Sequence, residues 1–268
     1  LFKKVPAEGT TAQVAGIIPA RWGSSRFPGK PLHSLLGKSL IAHVLERLSS
    51  CQDLDLVLVA TDDKRIEEEA RSCGAEVVMT SSHHSTGTDR IAEALESFRS
   101  IQHVVNIQGD EPLISPSLVD LMATSLKNDK EIAMITAASP ITDLAQLDDP
   151  NIVKVVLDNR DNALYFSRSP LPFDRSQNAT SAPLRHMGLY GYQRTFLQEF
   201  VAWPEGRLER AEQLEQLRAL ENGARIRVVI TNHDSIGLDT PEQVPQLEAL
   251  LMMSSNAVTH PQNTNQPS

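Results

Sequence analysis

The sequence predicts an α/β fold with a mixed, mostly parallel sheet covered by helices on both faces. Three observations predict it. Short apolar runs alternate with amphipathic stretches through the first half, the pattern of successive strand–helix units. Polar loops carrying Gly, Ser, Pro and charge follow the strands at 20–30, 81–90 and 108–112, where such folds collect their ligands. The chain has 268 residues, 40% hydrophobic and 22% charged. That is one large domain or two small ones, with a core that needs no disulfide or metal staple.

Each element follows from local pattern. Residues 14–19 read as a buried strand, followed by the loop over 20–31. Ile41, Val44, Leu45 and Leu48 recur at helical spacing. A second strand spans 56–60, and Asp62 is placed to cap the charged helix that runs to Cys73. The third strand is 75–79; Thr88 precedes a helix carrying Ile91, Ala94, Leu95 and Phe98 on one face. Residues 103–107 form the fourth strand, 116–126 a helix and 132–137 the fifth strand. The second half is less regular. Residues 152–157 and 163–166 read as a strand pair joined by the Asp158-Asn159-Arg160-Asp161-Asn162 turn. A helix over 208–220, a strand over 226–230 and a closing helix over 241–251 complete the pattern.

The charge balance narrows function. With 25 Lys+Arg against 34 Asp+Glu the chain carries −9, which argues against nucleic acid and membrane surfaces as partners, since both are polyanionic. No apolar run approaches the roughly 20 residues of a membrane span. Cys51 and Cys73 lack metal-ligand spacing and suggest a reducing, cytoplasmic setting. Residues 1–13 read as an extension without the apolar segment of a signal peptide, and 254–268 as a disordered, Ser/Asn/Gln/Pro-rich tail. The domain proper is expected over 14–253.

The loops carry the chemistry. Pro19-Ala20-Arg21-Trp22-Gly23-Ser24-Ser25-Arg26-Phe27-Pro28-Gly29-Lys30-Pro31 offers cations and backbone N–H groups to a polyphosphate. It is neither a Walker A loop, for which its glycine spacing is one residue too long, nor a G-x-G-x-x-G fingerprint. A solvated basic loop is the plainer alternative. Asp110, beside Gly109 in Asn106-Ile107-Gln108-Gly109-Asp110-Glu111-Pro112, is placed to share Mg²⁺ with phosphates and waters; an acidic turn is the alternative. Asp239, in Gly237-Leu238-Asp239-Thr240-Pro241, is a second such carboxylate and equally a good helix start. His83-His84-Ser85-Thr86-Gly87-Thr88 suits a base and ribose; the adjacent histidines point apart and lack a metal motif. Arg168 after an apolar strand, His186, Tyr190 and Tyr192 on one side of an alternating strand, and Glu215 in a helix are each structural when taken alone. Together they suit a polyhydroxy acid.

Eight of these pieces resemble the 3-deoxy-manno-octulosonate (Kdo) cytidylyltransferases: IPARWGSSRFPGKPL, VATDD, HSTGTDR, VNIQGDEP, ALYFSRSPLP, RHMGLYGY, LEQLRAL and GLDTPE, in that order. The resemblance implies a nucleotide-diphosphosugar-transferase-like (Rossmann-like) three-layer sandwich. It implies a cytosolic, Mg²⁺-dependent homodimer that activates Kdo with CTP for lipopolysaccharide synthesis, with residues of about 150–222 serving sugar binding and dimerisation. By resemblance Arg21, Ser24, Arg26 and Lys30 hold the CTP phosphates, and Ser85, Thr86, Gly87, Thr88 and Gln108 lie near the cytidine. Asp110 and Asp239 resemble the metal carboxylates, which with Arg21 and Lys30 make up the catalytic group. Arg168, His186, Tyr190, Glu215 and Gln216 resemble the sugar site. Trp22, Phe27 and Phe173 stand where the family often has Tyr, Leu and Trp. The nearest rivals are a sialic-acid or sugar-1-phosphate nucleotidyltransferase and, from another class, an inactive nucleotide-binding regulator.

Overall fold

A computed structural model of the chain describes residues 14–23, 27–175, 182–233 and 236–259, without the side chains of 144 and 255–259. The extension at 1–13, residues 24–26 with Ser24 and Arg26, and the tail after 259 therefore lie outside the described residues. In chain order the first half runs β1 (Val14–Ala20), β2 (Ser34–Leu35), β3 (Lys38–Ser39), α1 (Leu40–Leu48), β4 (Leu56–Thr61), α2 (Lys64–Ser72), β5 (Glu76–Met79), α3 (Gly87–Glu96), β6 (His103–Asn106), α4 (Pro116–Asn128) and β7 (Met134–Pro140). The second half runs β8 (Lys154–Leu157), β9 (Ala163–Ser167), β10 (Leu184–Gln193), α5 (Arg194–Ala202), α6 (Arg207–Glu212), α7 (Gln216–Glu221), β11 (Ile226–Ile230) and α8 (Val244–Thr259).

The main sheet orders its strands β11-β7-β10-β6-β1-β4-β5, with β8 and β9 attached at β10. β1, β4, β5 and β6 pair in parallel, as do β7 and β11, and β10 alone runs against its neighbours on this path. The chain leaves β1 toward β4 and β5, then returns to place β6 on the other flank. Strand order reverses at β1, so the loops leaving β1 and β6 diverge and open a crevice. β1 shows why both faces are covered: Val14, Ile18 and Ala20 join one core with α1, α2 and α4, while Ala15 and Ile17 join the other with α3, α5 and α7.

Four local expectations are corrected. The cap of α2 is Asp63, whose side chain accepts from the Arg65 amide; Asp62 instead meets buried Arg90 at 3.0 Å. The helix expected over 208–220 is two short helices, because Gln213 turns left-handed (φ 53°) between α6 and α7. The break is held by a buried bidentate pair, Arg218 Nε and Nη2 donating to Glu209 at 2.8 and 2.7 Å. Helix α8 remains helical through Thr259, beyond the start of the expected tail at Ser254. The capping that starts α3 lies earlier than Thr88: Thr86 accepts from the Asp89 amide at 3.1 Å, and Asp89 accepts from the Thr86 amide at 3.2 Å.

Gly191 lets β10 pass close beneath α4. A Cβ there would stand 2.7 Å from Ile135 Cγ2 and 2.8 Å from Leu126 Cδ1. Gly191→Ala is expected to destabilise the fold by about 1–3 kcal/mol through overpacking, read as a lower urea midpoint at unchanged slope.

Candidate active site

The three loops foreseen on one sheet edge converge. Their first cavity, about 290 Å³, is lined from the β1 loop by Arg21 and Lys30, from the turn before α3 by His84, Thr86 and Gly87, and from the β6 loop by Gln108, Gly109 and Asp110. Arg90 and Asp239 complete its charged wall. A second cavity, about 590 Å³, adjoins it and is lined by Arg185, His186, Tyr190, Gln216, the 151–153 segment and the 236–239 loop. Gln108, Asp110 and Asp239 line both.

The β1 loop is pinched shut at its base. The Gly29 amide donates to the Trp22 carbonyl at 3.1 Å, and Gly29 adopts φ +71° with the Trp22 indole where a Cβ would be. Above the indole lies the Arg65 guanidinium, 3.3 Å from the ring centroid and itself held by Asp63. This closure sets Arg21 and Lys30 at the two feet of the loop. Lys30 Nζ meets Asp110 Oδ2 at 2.5 Å, so the cavity floor carries paired rather than isolated charge. The Leu238 amide donates to the Asp110 carbonyl at 2.9 Å, tying the loop of Asp239 to that of Asp110. The α3 N-terminus, packed on Pro19 through Gly87, opens beside the same cavity and favours anions there.

Not every predicted nucleotide residue reaches the cavity lining. Thr86 and Gly87 do, whereas the Ser85 hydroxyl turns to Asp89 (3.2 Å) and the Thr88 hydroxyl to Glu215 (2.6 Å). His84, read as an improbable metal ligand, lines the cavity and contacts Glu93. Among the described residues no group of three or more His, Cys, Asp and Glu is arranged to hold a metal. A divalent cation at Asp110 and Asp239 would therefore complete its shell with substrate oxygens and water. Two hard carboxylates beside a phosphate-sized cationic cavity fit Mg²⁺, which takes few protein ligands.

The second cavity contains His186, Tyr190 and Gln216, brought together by β10 and the start of α7. The His186 ring lies tilted against Tyr190 at 5.4 Å between centroids, and Tyr190 stacks on Tyr192 at 6.2 Å, with Tyr192 in the core. β10 shifts register between Met187 and Tyr190, which frees the Gly188 carbonyl to accept from Gln108 Nε2 at 3.1 Å. The Thr136 hydroxyl donates to the Leu189 carbonyl at 2.7 Å and lies 2.9 Å from His186 Nε2. Its single proton is thus committed, so the imidazole carries its own on Nε2. Burial pushes the His186 imidazole down to about 3, keeping it neutral, and pushes the Tyr190 phenol well above its ordinary value. Burial also raises Glu215, against the pull of the Thr88 hydroxyl and Arg218.

Arg168 stands elsewhere. Its guanidinium donates to the carbonyls of Glu212 (2.7 Å), Pro150 (2.9 Å) and Gln213 (3.3 Å), outside the cavity lining. With Lys154, fully buried and donating to the carbonyls of Asp149, Ile152 and Arg168, it clamps the 149–153 segment against the α6–α7 break. Both segments wall the second cavity, so Arg168 shapes it from behind. The guanidinium that lines it is Arg185, which sequence reasoning passed over because strict alternation sets it on the face opposite His186. Glu215 likewise lies behind the lining, next to Gln216.

Fold and cavities together define an α/β protein built to bring an anionic nucleotide against a second, polar molecule. A family model described as Cytidylyltransferase matches residues 15–226, and the chain belongs to that family. It is 47% identical over 242 residues to the 3-deoxy-manno-octulosonate cytidylyltransferase of Solibacter usitatus, covering 90% of this chain and 96% of the relative. The 8-amino-3,8-dideoxy-manno-octulosonate cytidylyltransferase of Shewanella woodyi is 47% identical over 238 residues, covering 88% and 97%. A solved CMP:2-keto-3-deoxy-manno-octonic acid synthetase complexed with CTP superimposes with a TM-score of 0.86 at 38% identity, over 90% of this chain and 99% of that one.

The neutral His186 sets an acid sensitivity. Below its ordinary value of 6.5 the unfolded chain binds a proton that the folded one refuses until about 3, so stability falls as pH drops through that window. One proton corresponds to a slope of at most about 1.4 kcal/mol per pH unit. Urea titrations between pH 7 and 4 are expected to show a shallower loss in His186→Gln than in the parent; identical slopes would exclude this origin.

Proposed function

We propose that this protein is a Kdo cytidylyltransferase, joining CMP from CTP to Kdo with release of pyrophosphate, for lipopolysaccharide synthesis. The observation that carries the reading is the shared wall: Gln108, Asp110 and Asp239 border a cationic cavity on one side and a polar, aromatic-floored cavity on the other. A phosphorus atom at that border would face groups from both. CTP is the donor on this reading, its phosphates over Arg21 and Lys30 with Arg26 and Ser24 from the same loop, and its cytidine toward Gln108 and Thr86–Gly87. Kdo lies against His186, Tyr190 and Gln216, in a lining whose guanidinium is that of Arg185.

In the reaction the anomeric hydroxyl of Kdo gives up its proton to water and its oxygen forms a new bond to the α-phosphorus, while the bond to the bridging oxygen of the leaving pyrophosphate breaks. Such transfers depend on alignment and charge neutralisation. Arg21 and Lys30 neutralise charge gathering on the departing group. The paired Lys30 can exchange Asp110 for phosphate, which leaves the carboxylate for a cation. Mg²⁺ is the proposed cofactor, held by Asp110 and Asp239; when bound it polarises phosphate oxygens and lowers the pKa of a coordinated hydroxyl. The neutral imidazole of His186 orients a sugar hydroxyl without adding charge.

The reading also takes the protein as cytoplasmic and homodimeric. Among the described residues no helix is long and apolar enough to cross a membrane, and Leu164 and Phe173 stand 62% and 87% exposed in the part expected to dimerise. An alternative acceptor, 8-amino-3,8-dideoxy-manno-octulosonate, is favoured by the Shewanella woodyi relative.

Pyrophosphate release is expected with CTP, Mg²⁺ and Kdo, and to disappear when CTP, the acceptor or Mg²⁺ is omitted. Assays with the 8-amino sugar, N-acetylneuraminate and a hexose 1-phosphate in place of Kdo decide the acceptor. Asp110→Ala is expected to cut kcat at least about a hundredfold, the scale of losing a transition-state charge contact, with an unchanged urea midpoint. A near-normal rate would sink the assignment of that carboxylate.

A further inference from the structure

We propose that Thr88 and Glu215 form a positioning pair that carries nucleotide occupancy of the first cavity to the amide of Gln216 in the second. The inference rests on the functional reading above and adds a coupling between its two subsites. Thr88 belongs to the loop that sequence alone assigns to the nucleotide, yet it is 3% exposed and absent from the cavity lining. Its hydroxyl donates across 127 residues of sequence to Glu215 Oε2 at 2.6 Å. Thr86, two residues earlier in the same turn, lines the first cavity and caps the helix by accepting from the Asp89 amide at 3.1 Å. On its other side Glu215 lies 3.7 Å from Arg218 Nη2, itself locked to Glu209. One carboxylate therefore joins the first turn of α3 to the first turn of α7.

What it positions is visible next door. Gln216 is 3% exposed and lines the second cavity, and its Nε2 has no hydrogen-bond partner among the described residues. A buried amide donor without an acceptor is a standing demand for one, and the oxygens of an acidic polyhydroxy sugar meet it. A cytidine seated against Thr86 and Gly87, as the functional reading has it, would bias that turn. Because Thr88 is fastened to Glu215, a shift of the turn is transmitted to the residue preceding Gln216. Coupling of this kind needs a short polar link shielded from water on at least one side, and the 2.6 Å contact between buried Thr88 and half-buried Glu215 is one.

The test uses the full-length protein, ¹⁵N-labelled, with the Gly87 backbone amide and the Gln216 side-chain amide as separate reporters. CTP with Mg²⁺ is expected to shift both in the parent. In Thr88→Val the Gly87 shift persists and the Gln216 shift is lost, and Thr88→Ser, which keeps the hydroxyl, restores it. In steady state Thr88→Val is expected to raise the acceptor KM about tenfold, the scale of one hydrogen bond to a charged group, with the CTP KM within about twofold. The double variant Thr88→Val/Glu215→Gln should be no worse than Glu215→Gln alone. A Gln216 amide that ignores CTP while Gly87 responds overturns the inference alone. So does a Thr88→Val protein whose CTP KM rises with the acceptor KM unchanged. If neither amide responds to CTP, the nucleotide reading itself fails and the inference falls with it.

Discussion

The antiparallel insertion of β10 between β6 and β7 is the constraint on which the site depends. Without it the crevice at the reversal of strand order would be a nucleotide cavity with no second wall. Pairing Tyr190 with Asn106 sets the aromatic face of β10 beside the carboxyl end of β6, two residues before Gln108. The irregular register after Met187 then aims the Gly188 carbonyl at the Gln108 amide. One strand thus carries the second cavity's floor and braces the first cavity's rim. Gly191 permits this placement, because β10 passes under α4 with no room for a side chain.

Polar groups buried around the cavities act chiefly on backbone. Lys154 and Arg168 spend their donors on carbonyls from three segments, and Arg218 does the same with the Trp203 carbonyl while it pairs with Glu209. Burial pulls the Lys154 ammonium down, and its nearby carboxylates and carbonyls oppose that pull. Such groups are costly to leave unmatched and weak as net stabilisers, so their value lies in specifying one geometry for irregular loops. The walls of the second cavity, unlike the sheet, have no ladder of hydrogen bonds to define them.

The apolar periodicities of the first half translate almost directly into elements because each strand and helix buries a face against the same sheet. Arg21, Lys30, Gln108, Asp110 and Asp239 were legible for a related reason: in this topology a loop that follows a strand can only emerge at the carboxyl edge. The second half was harder. A continuous helix over 208–220 satisfies local propensity, and only the bidentate Arg218–Glu209 pair, formed across the turn at Gln213, favours the break. Arg185 lines the second cavity and Arg168 does not, since a guanidinium's target is set by whichever carbonyls or cavity the tertiary fold places within its reach.

The sequence by itself determined the class of fold, the edge of the sheet that carries the chemistry and the family, because periodicity and loop composition are local and survive translation into any packing. Tertiary structure alone decided that Thr88 faces Glu215 instead of the nucleotide cavity, that Arg168 braces and Arg185 lines, and that two carboxylates 129 positions apart share one wall. These are pairings between distant segments, and their partners are chosen by packing that no local pattern encodes.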